Sequence, residues 1–164
     1  MGLVDIGITA INVIITGMSF WGAARSVKYY KKSKSLTAHT NLTKALLEID
    51  KMLSKLPDAL SATNKGREKR GESQKNIIES IGKKLAVSYN EIHRCIPVDL
   101  SDALTEIEKT DSFNLQTYIN EYINGDAIAK YTLNMDKYNQ CQECLLKMQV
   151  FLKKKIDEKQ EELK

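Results

Sequence analysis

Four side chains have the types and spacing of a metal or redox centre. His93 and Cys95 form an H-x-C, and Cys141 and Cys144 form a C-x-x-C. Three residues apart on a helix, two thiolates share one face and can reach one ion. Two such pairs could close a tetrahedral zinc site, and the thiols alone could act as a redox pair. Against this, both pairs fall on apolar stripes, where cysteine is an ordinary small core residue. The zinc-deaminase arrangement is excluded, because no Glu follows His93 at the required place and no Pro precedes Cys141. An odd count of three cysteines on a cytoplasmic side implies reduced thiols rather than a disulfide framework. No cofactor is expected.

A second candidate is the basic run Lys65, Arg67, Lys69 and Arg70, which could hold phosphate, RNA or a nucleotide messenger. Such runs are usually only solvated, and the aromatics needed for base stacking do not interleave this one. The second histidine, His39, lies in a polar stretch without acid–base partners nearby. No G-x-S-x-G, P-loop or H-E-x-x-H is present, so no enzyme activity is expected.

The most specific pattern lies at the N-terminus. Leu3 to Ala24 is a run of 22 residues with one charge, Asp5. At ~1.5 Å per residue, about 20 residues cross a hydrocarbon core roughly 30 Å thick. No Lys or Arg precedes the run, and Arg25, Lys28, Lys31, Lys32 and Lys34 follow it, the reverse of a secretory signal. A core helix of a soluble protein rarely carries so long an apolar run. The reading is therefore a single-pass helix in the inner membrane, with the N-terminus outside and the basic flank on the cytoplasmic side. Trp21 and the cations Arg25, Lys28, Lys31 and Lys32 would sit in the headgroup zone.

Within that run the polar residues are ordered. Asp5, Thr9, Asn12, Thr16 and Ser19 follow steps of 4, 3, 4 and 3, with Ala23 and Ser26 continuing. An amide in hydrocarbon needs a partner, so Asn12 argues against a helix alone in lipid. Copies of the helix could bond through Thr9, Asn12, Thr16 and Ser19, or turn that face onto a water-filled lumen. A period of 3.5 suits a left-handed assembly. Gly7, Ala10 and Gly17 lie on nearly the opposite face and offer a competing packing surface. A lone anchor, with hydroxyls bonded to their own helix, is the alternative.

The remaining elements must hold these candidates. Residues 1–33 form the membrane helix with its basic extension, and residues 34–164 form a cytosolic helical domain. Residues 1–34 hold five of the 25 basic and one of the 21 acidic side chains, which leaves twenty of each beyond them. The basic character thus belongs to the membrane boundary and not to the domain. After a polar break at KSKSLTAHT, Leu42 to Leu56 form an amphipathic stripe that should end at Pro57. Residues 62–74 read as an exposed loop. A second stripe runs from Ile77 to Cys95 and stops before Pro97. Asp99 or Ser101 could cap a short helix through Ile107, and Asp111 another from Phe113 to Tyr122, closed by Gly125. A last long helix from Asp126 carries Tyr131, Met135, Tyr138, Cys141, Leu145, Met148, Leu152 and Ile156, with a charged tail expected to fray. No strand-like alternation of useful length is present, so the fold class is all-α, a bundle of three or four helices.

This plan resembles small prokaryotic antiviral membrane effectors, which join one or two N-terminal membrane helices to a compact cytosolic domain. Two groups share it: HEPN-like accessory membrane proteins of RNA-targeting CRISPR systems, which assemble as pores, and cyclic-oligoadenylate-activated membrane effectors of type III CRISPR systems. The resemblance covers the plan of the chain and no motif. The HEPN nuclease pair is an Arg followed by His after four to six residues; neither His39 nor His93 has such an Arg. A HEPN-like domain here would be catalytically dead. The resemblance implies an oligomeric effector that forms or gates a pore in the bilayer, controlled through its helical domain. The other readings are an anchored adaptor that docks a cytosolic protein, and a tethered nucleotide or RNA sensor.

Overall fold

Apolar residues recurring at three and four positions make a helix with one face to bury, and three such faces define the core. The computed structural model describes residues 3–64, 74–110, 112–127, 130 and 135–163, with the side chains of residues 3–20 and 64 outside the described set. Helix α1 (Leu3–Asn64) runs for 62 residues, about 93 Å at the usual rise. Helix α2 is Gln74–Cys95 and α3 is Val98–Glu108. A two-residue hairpin of β1 (Lys109–Thr110) and β2 (Phe113–Asn114) leads to α4 (Leu115–Ile123). Helix α5 is Met135–Glu161. The described residues are thus mostly helical, an all-α fold.

The C-terminal half of α1 buries Leu42, Ala45, Ile49, Met52, Leu56 and Ala59 between α2 and α5. Both partners run antiparallel to it. Gln74 Nε2 donates to Ala62 O at 2.9 Å near the start of α2. Gln149 Nε2 donates to Asp50 Oδ1 at 2.7 Å, and Ser35 Oγ to Glu162 Oε2 at 3.1 Å. The far end of α5 therefore returns toward the point where α1 leaves the bundle. Helix α4 packs across α2, so closely that a Cβ on Gly82 would lie 2.5 Å from Ile123 N and 2.6 Å from Tyr122 C.

Several boundaries differ from the sequence expectations. No break occurs at KSKSLTAHT, since α1 continues through it. The stretch has neither Gly nor Pro, and its hydroxyls bond back into the helix: Thr37 to Ser33 O, Thr40 to Leu36 O and Thr43 to His39 O. Nor does α1 stop at Pro57. The ring removes the N–H that would bond to the Leu53 carbonyl, but Pro57 is exposed while its neighbours Leu56 and Ala59 are in the core. Neither Asp99 nor Ser101 caps α3: Pro97 does, with φ −59° and no side-chain bond, and Asp99 sits in the first turn. Asn114, not Asp111, caps α4, its Oδ1 accepting from Thr117 N at 2.9 Å; Asp111 lies outside the described residues. Gly125 closes α4 at φ +76°, as its type requires.

In the last helix Tyr131 lies outside the described residues, and Met135 is 47% exposed rather than core. The tail does not fray before Glu161. Lys155–Glu158 and Lys159–Glu162 pairs, with the Ser35 bond to Glu162, line its last turns. Among the described residues no helix is long and apolar enough to cross a membrane. That expectation rests on the run from Leu3 to Ala24, of which the side chains of residues 3–20 lie outside the described set.

The Gly82 contact yields a test. Gly82→Ala places a methyl against backbone, which cannot rotate aside, so α2 and α4 must separate. The cost should be about 1–3 kcal/mol, read as a lowered midpoint in chemical denaturation of the full chain.

Candidate functional site

Two places bring chemistry-bearing residues together: the segment of α1 that projects from the bundle, and a buried polar node beneath α3. The projecting segment follows from helix geometry. Beyond the reach of α2 and α5, α1 is covered by none of the described residues, and every residue from Trp21 to Lys34 is exposed. Arg25 stacks on Trp21 and Tyr29, 5.3 and 5.6 Å from the ring centroids, and donates to Tyr29 Oη at 3.3 Å. This is an aromatic–cation ladder at steps of four, with the rings 68% and 60% exposed. Lys28, Lys31 and Lys32 are exposed beside it. At its foot, Tyr30, Ser33 and Thr37 face Arg94, Ile96 and Pro97 across a cleft of about 430 Å³.

The buried node is one that sequence reasoning missed. Glu108, the last residue of α3, is only 4% exposed. Tyr89 Oη donates to its Oε2 at 3.0 Å. His93 Nε2 lies 2.9 Å from its Oε1, and neither of those two atoms has another partner. Two bare acceptors at that distance repel, so one of the two groups carries a proton that lies between them. The His93 ring also meets Tyr89 edge-on, with centroids 4.6 Å apart. Burial, and then the adjacent Glu108 carboxylate, push the Tyr89 phenol well above its ordinary range. The spacing of Tyr89 and His93, four apart on α2, was the available signal; their acceptor stands on another helix.

This node dissolves the proposed zinc set. His93 is committed to Glu108, and Cys95 closes α2 at the cleft. Cys141 and Cys144 do share the buried face of α5, and Cys144 Sγ points at Ile107 O, 3.6 Å away. Among the described residues no group of three or more His, Cys, Asp or Glu side chains could hold a metal. The thiols are also poor nucleophiles. Burial holds Cys141 well above the ordinary thiol value and pushes Cys144 up to about 12. A second buried hydroxyl chain, Tyr118 Oη to Tyr122 Oη at 3.3 Å with Thr63 beside it, lies under α4.

Of the other sequence candidates, Thr9, Asn12, Thr16, Ser19, Gly7, Ala10 and Gly17 lie on α1, their side chains outside the described residues. Lys65, Arg67, Lys69 and Arg70 lie outside the described residues altogether. Compared with known families, curated proteins and solved structures, the chain matches none, so only its own residues bear on function.

Removing the acceptor at the node should be costly. Glu108→Ala leaves the Tyr89 hydroxyl and His93 Nε2 without a partner and should lose about 2 kcal/mol; Glu108→Gln, which keeps an acceptor oxygen, should lose less in the same denaturation experiment. The thiols offer a second measurement. Cys95, Cys141 and Cys144 are all free and buried, so a thiol reagent at pH 8 should label them only after denaturant is added. For Cys144 the folded value lies above the unperturbed 9.0, so its stabilising contribution is complete below pH 9 and is lost as pH rises toward 12. Denaturation midpoints should therefore fall on the alkaline side of pH 9.

Proposed function

We propose that this chain is an oligomeric membrane effector: the N-terminal part of α1 spans the inner membrane, and the bundle hangs on its cytoplasmic side as the controlling domain. The observation that carries this reading is the unbroken course of α1. One end is an apolar run with a polar stripe, and the other is the central helix of the core. A bundle rotation or tilt has no hinge in which to dissipate before it reaches the span.

Three further features support it. The run Leu3–Ala24 extends about 33 Å as a helix, matching a hydrocarbon core of roughly 30 Å. At its C-terminal end stand the exposed Trp21–Arg25–Tyr29 ladder and the remaining cations, the mix of aromatics and Lys or Arg that suits a headgroup zone. The domain beyond is charge-neutral, which fits a body hung below a membrane better than one gripping nucleic acid. The plan resembles the antiviral membrane effectors named above, and a HEPN-like but catalytically inert bundle fits a domain whose half-buried His93 is tied to Glu108.

In this reading copies of α1 turn Thr9, Asn12, Thr16 and Ser19 toward one another, where amide and hydroxyl groups satisfy each other or line a water-filled path. Replacing Asn12, Thr16 and Ser19 together with Leu should abolish dye release from vesicles while insertion is retained. Leakage equal to the unmodified chain would refute a polar-lined path. An anchored adaptor predicts instead a monomeric particle mass in detergent.

A further inference from the structure

The continuity of α1 lets the polar stripe be followed out of the apolar run. From Asp5 the register passes through Thr9, Asn12, Thr16, Ser19, Ala23, Ser26, Tyr30, Ser33, Thr37 and Thr40, in steps that alternate 4 and 3 throughout. Because α1 has no break between Leu3 and Asn64, these are consecutive positions of one helical seam. A seam of period 3.5 is what helices that wind around one another present.

The projecting segment sorts its charges about this seam. Arg25, Lys28, Lys31, Lys32 and Lys34 all fall off the register, and the seam positions from Ala23 to Thr40 are uncharged. Tyr29 and Leu36, 60% and 56% exposed, flank it on one side. The competing small-residue face, carried forward by the same steps, meets Trp21, Lys28 and Lys31, where like charges would oppose each other. The first cation on the seam is Lys44, which stays exposed on the outer face of α1 while Leu42 and Ala45 on another face are fully buried. At the foot of the segment three seam positions, Tyr30, Ser33 and Thr37, open with the flanking Lys34 on the cleft bounded by Arg94, Ile96 and Pro97.

We infer that a second copy of this chain lays its α1 along the Ala23–Ser26–Tyr30–Ser33–Thr37 seam and occupies the cleft at its foot. The contact between copies then continues about 20 Å beyond the apolar run as a stem, with Arg25, Lys28, Lys31 and Lys32 off the contact and Lys34 at its edge in the cleft. This rests on the oligomer reading above and specifies where the copies touch on the domain side.

Cysteine cross-linking of the full chain in membranes tests it. The three native thiols are buried, so the unmodified chain provides the blank. Ser26, Lys28, Lys32 and Ser33 are exposed, so replacing them leaves the core intact. Under mild oxidation, Ser26→Cys and Ser33→Cys should give disulfide-linked dimer several-fold above Lys28→Cys and Lys32→Cys, alongside dimer from Asn12→Cys and Thr16→Cys. If Asn12→Cys and Thr16→Cys cross-link but Ser26→Cys and Ser33→Cys do no better than the lysine positions, the stem is overturned and the oligomer survives. If no position cross-links, both fall together.

Discussion

One helix that runs continuously from Leu3 to Asn64, even across the hydrogen bond that Pro57 removes, is the constraint on which the rest of this molecule depends. A helix turns about 100° for each residue, so without a break the azimuth of every N-terminal residue is tied to that of the core. Leu42, Ile49 and Leu56 are pinned between α2 and α5. Their seating determines where Ser26 or Tyr30 points. The hydroxyls of Thr37, Thr40 and Thr43 are accommodated within α1 by bonding to their own helix, where in another context the same residues would favour a turn.

Charge is distributed to match. The projecting segment concentrates cations, while the bundle balances twenty against twenty and spreads them largely as short-range pairs on its surface. Exposed pairs of this kind contribute little to stability, so the bundle is held by its apolar core. The exception is Glu108, a carboxylate withdrawn from water and compensated by Tyr89 and His93. It joins the end of α3 to α2, close to where Cys144 of α5 meets Ile107. Three helices are thereby fixed against one another beside the two-residue hairpin, which alone would have little stability.

Much of the architecture was legible because it repeats locally. The stripe from Ile78 to Cys95 and that from Cys141 to Leu152 are buried along α2 and α5, and Gly125 closes α4 with the positive φ its position implied. Where reading failed, the cause was context. A polar stretch was taken for a break although nothing in it forbids a helix, and Pro57 for a stop although an exposed proline with buried neighbours can be carried through. The cap of α4 moved from Asp111 to Asn114 because a short hairpin intervenes. For Cys95, Cys141 and Cys144 the spacing left two readings, ligands or small core residues, and all three are free and buried.

The periodicities by themselves determined the helical class, the neutral bundle with its basic neck, and the 3.5-residue register of polar positions, since each depends on neighbours within a few turns. Only the tertiary structure decided that the neck is one rigid helix and that it leaves the bundle with its seam open beside the α2–α3 corner. It also decided that His93 answers to Glu108 rather than to the cysteines. Those outcomes depend on residues far apart in the chain. Which acceptor a half-buried histidine finds, or what covers one side of a helix, is a property of packing that no local pattern encodes.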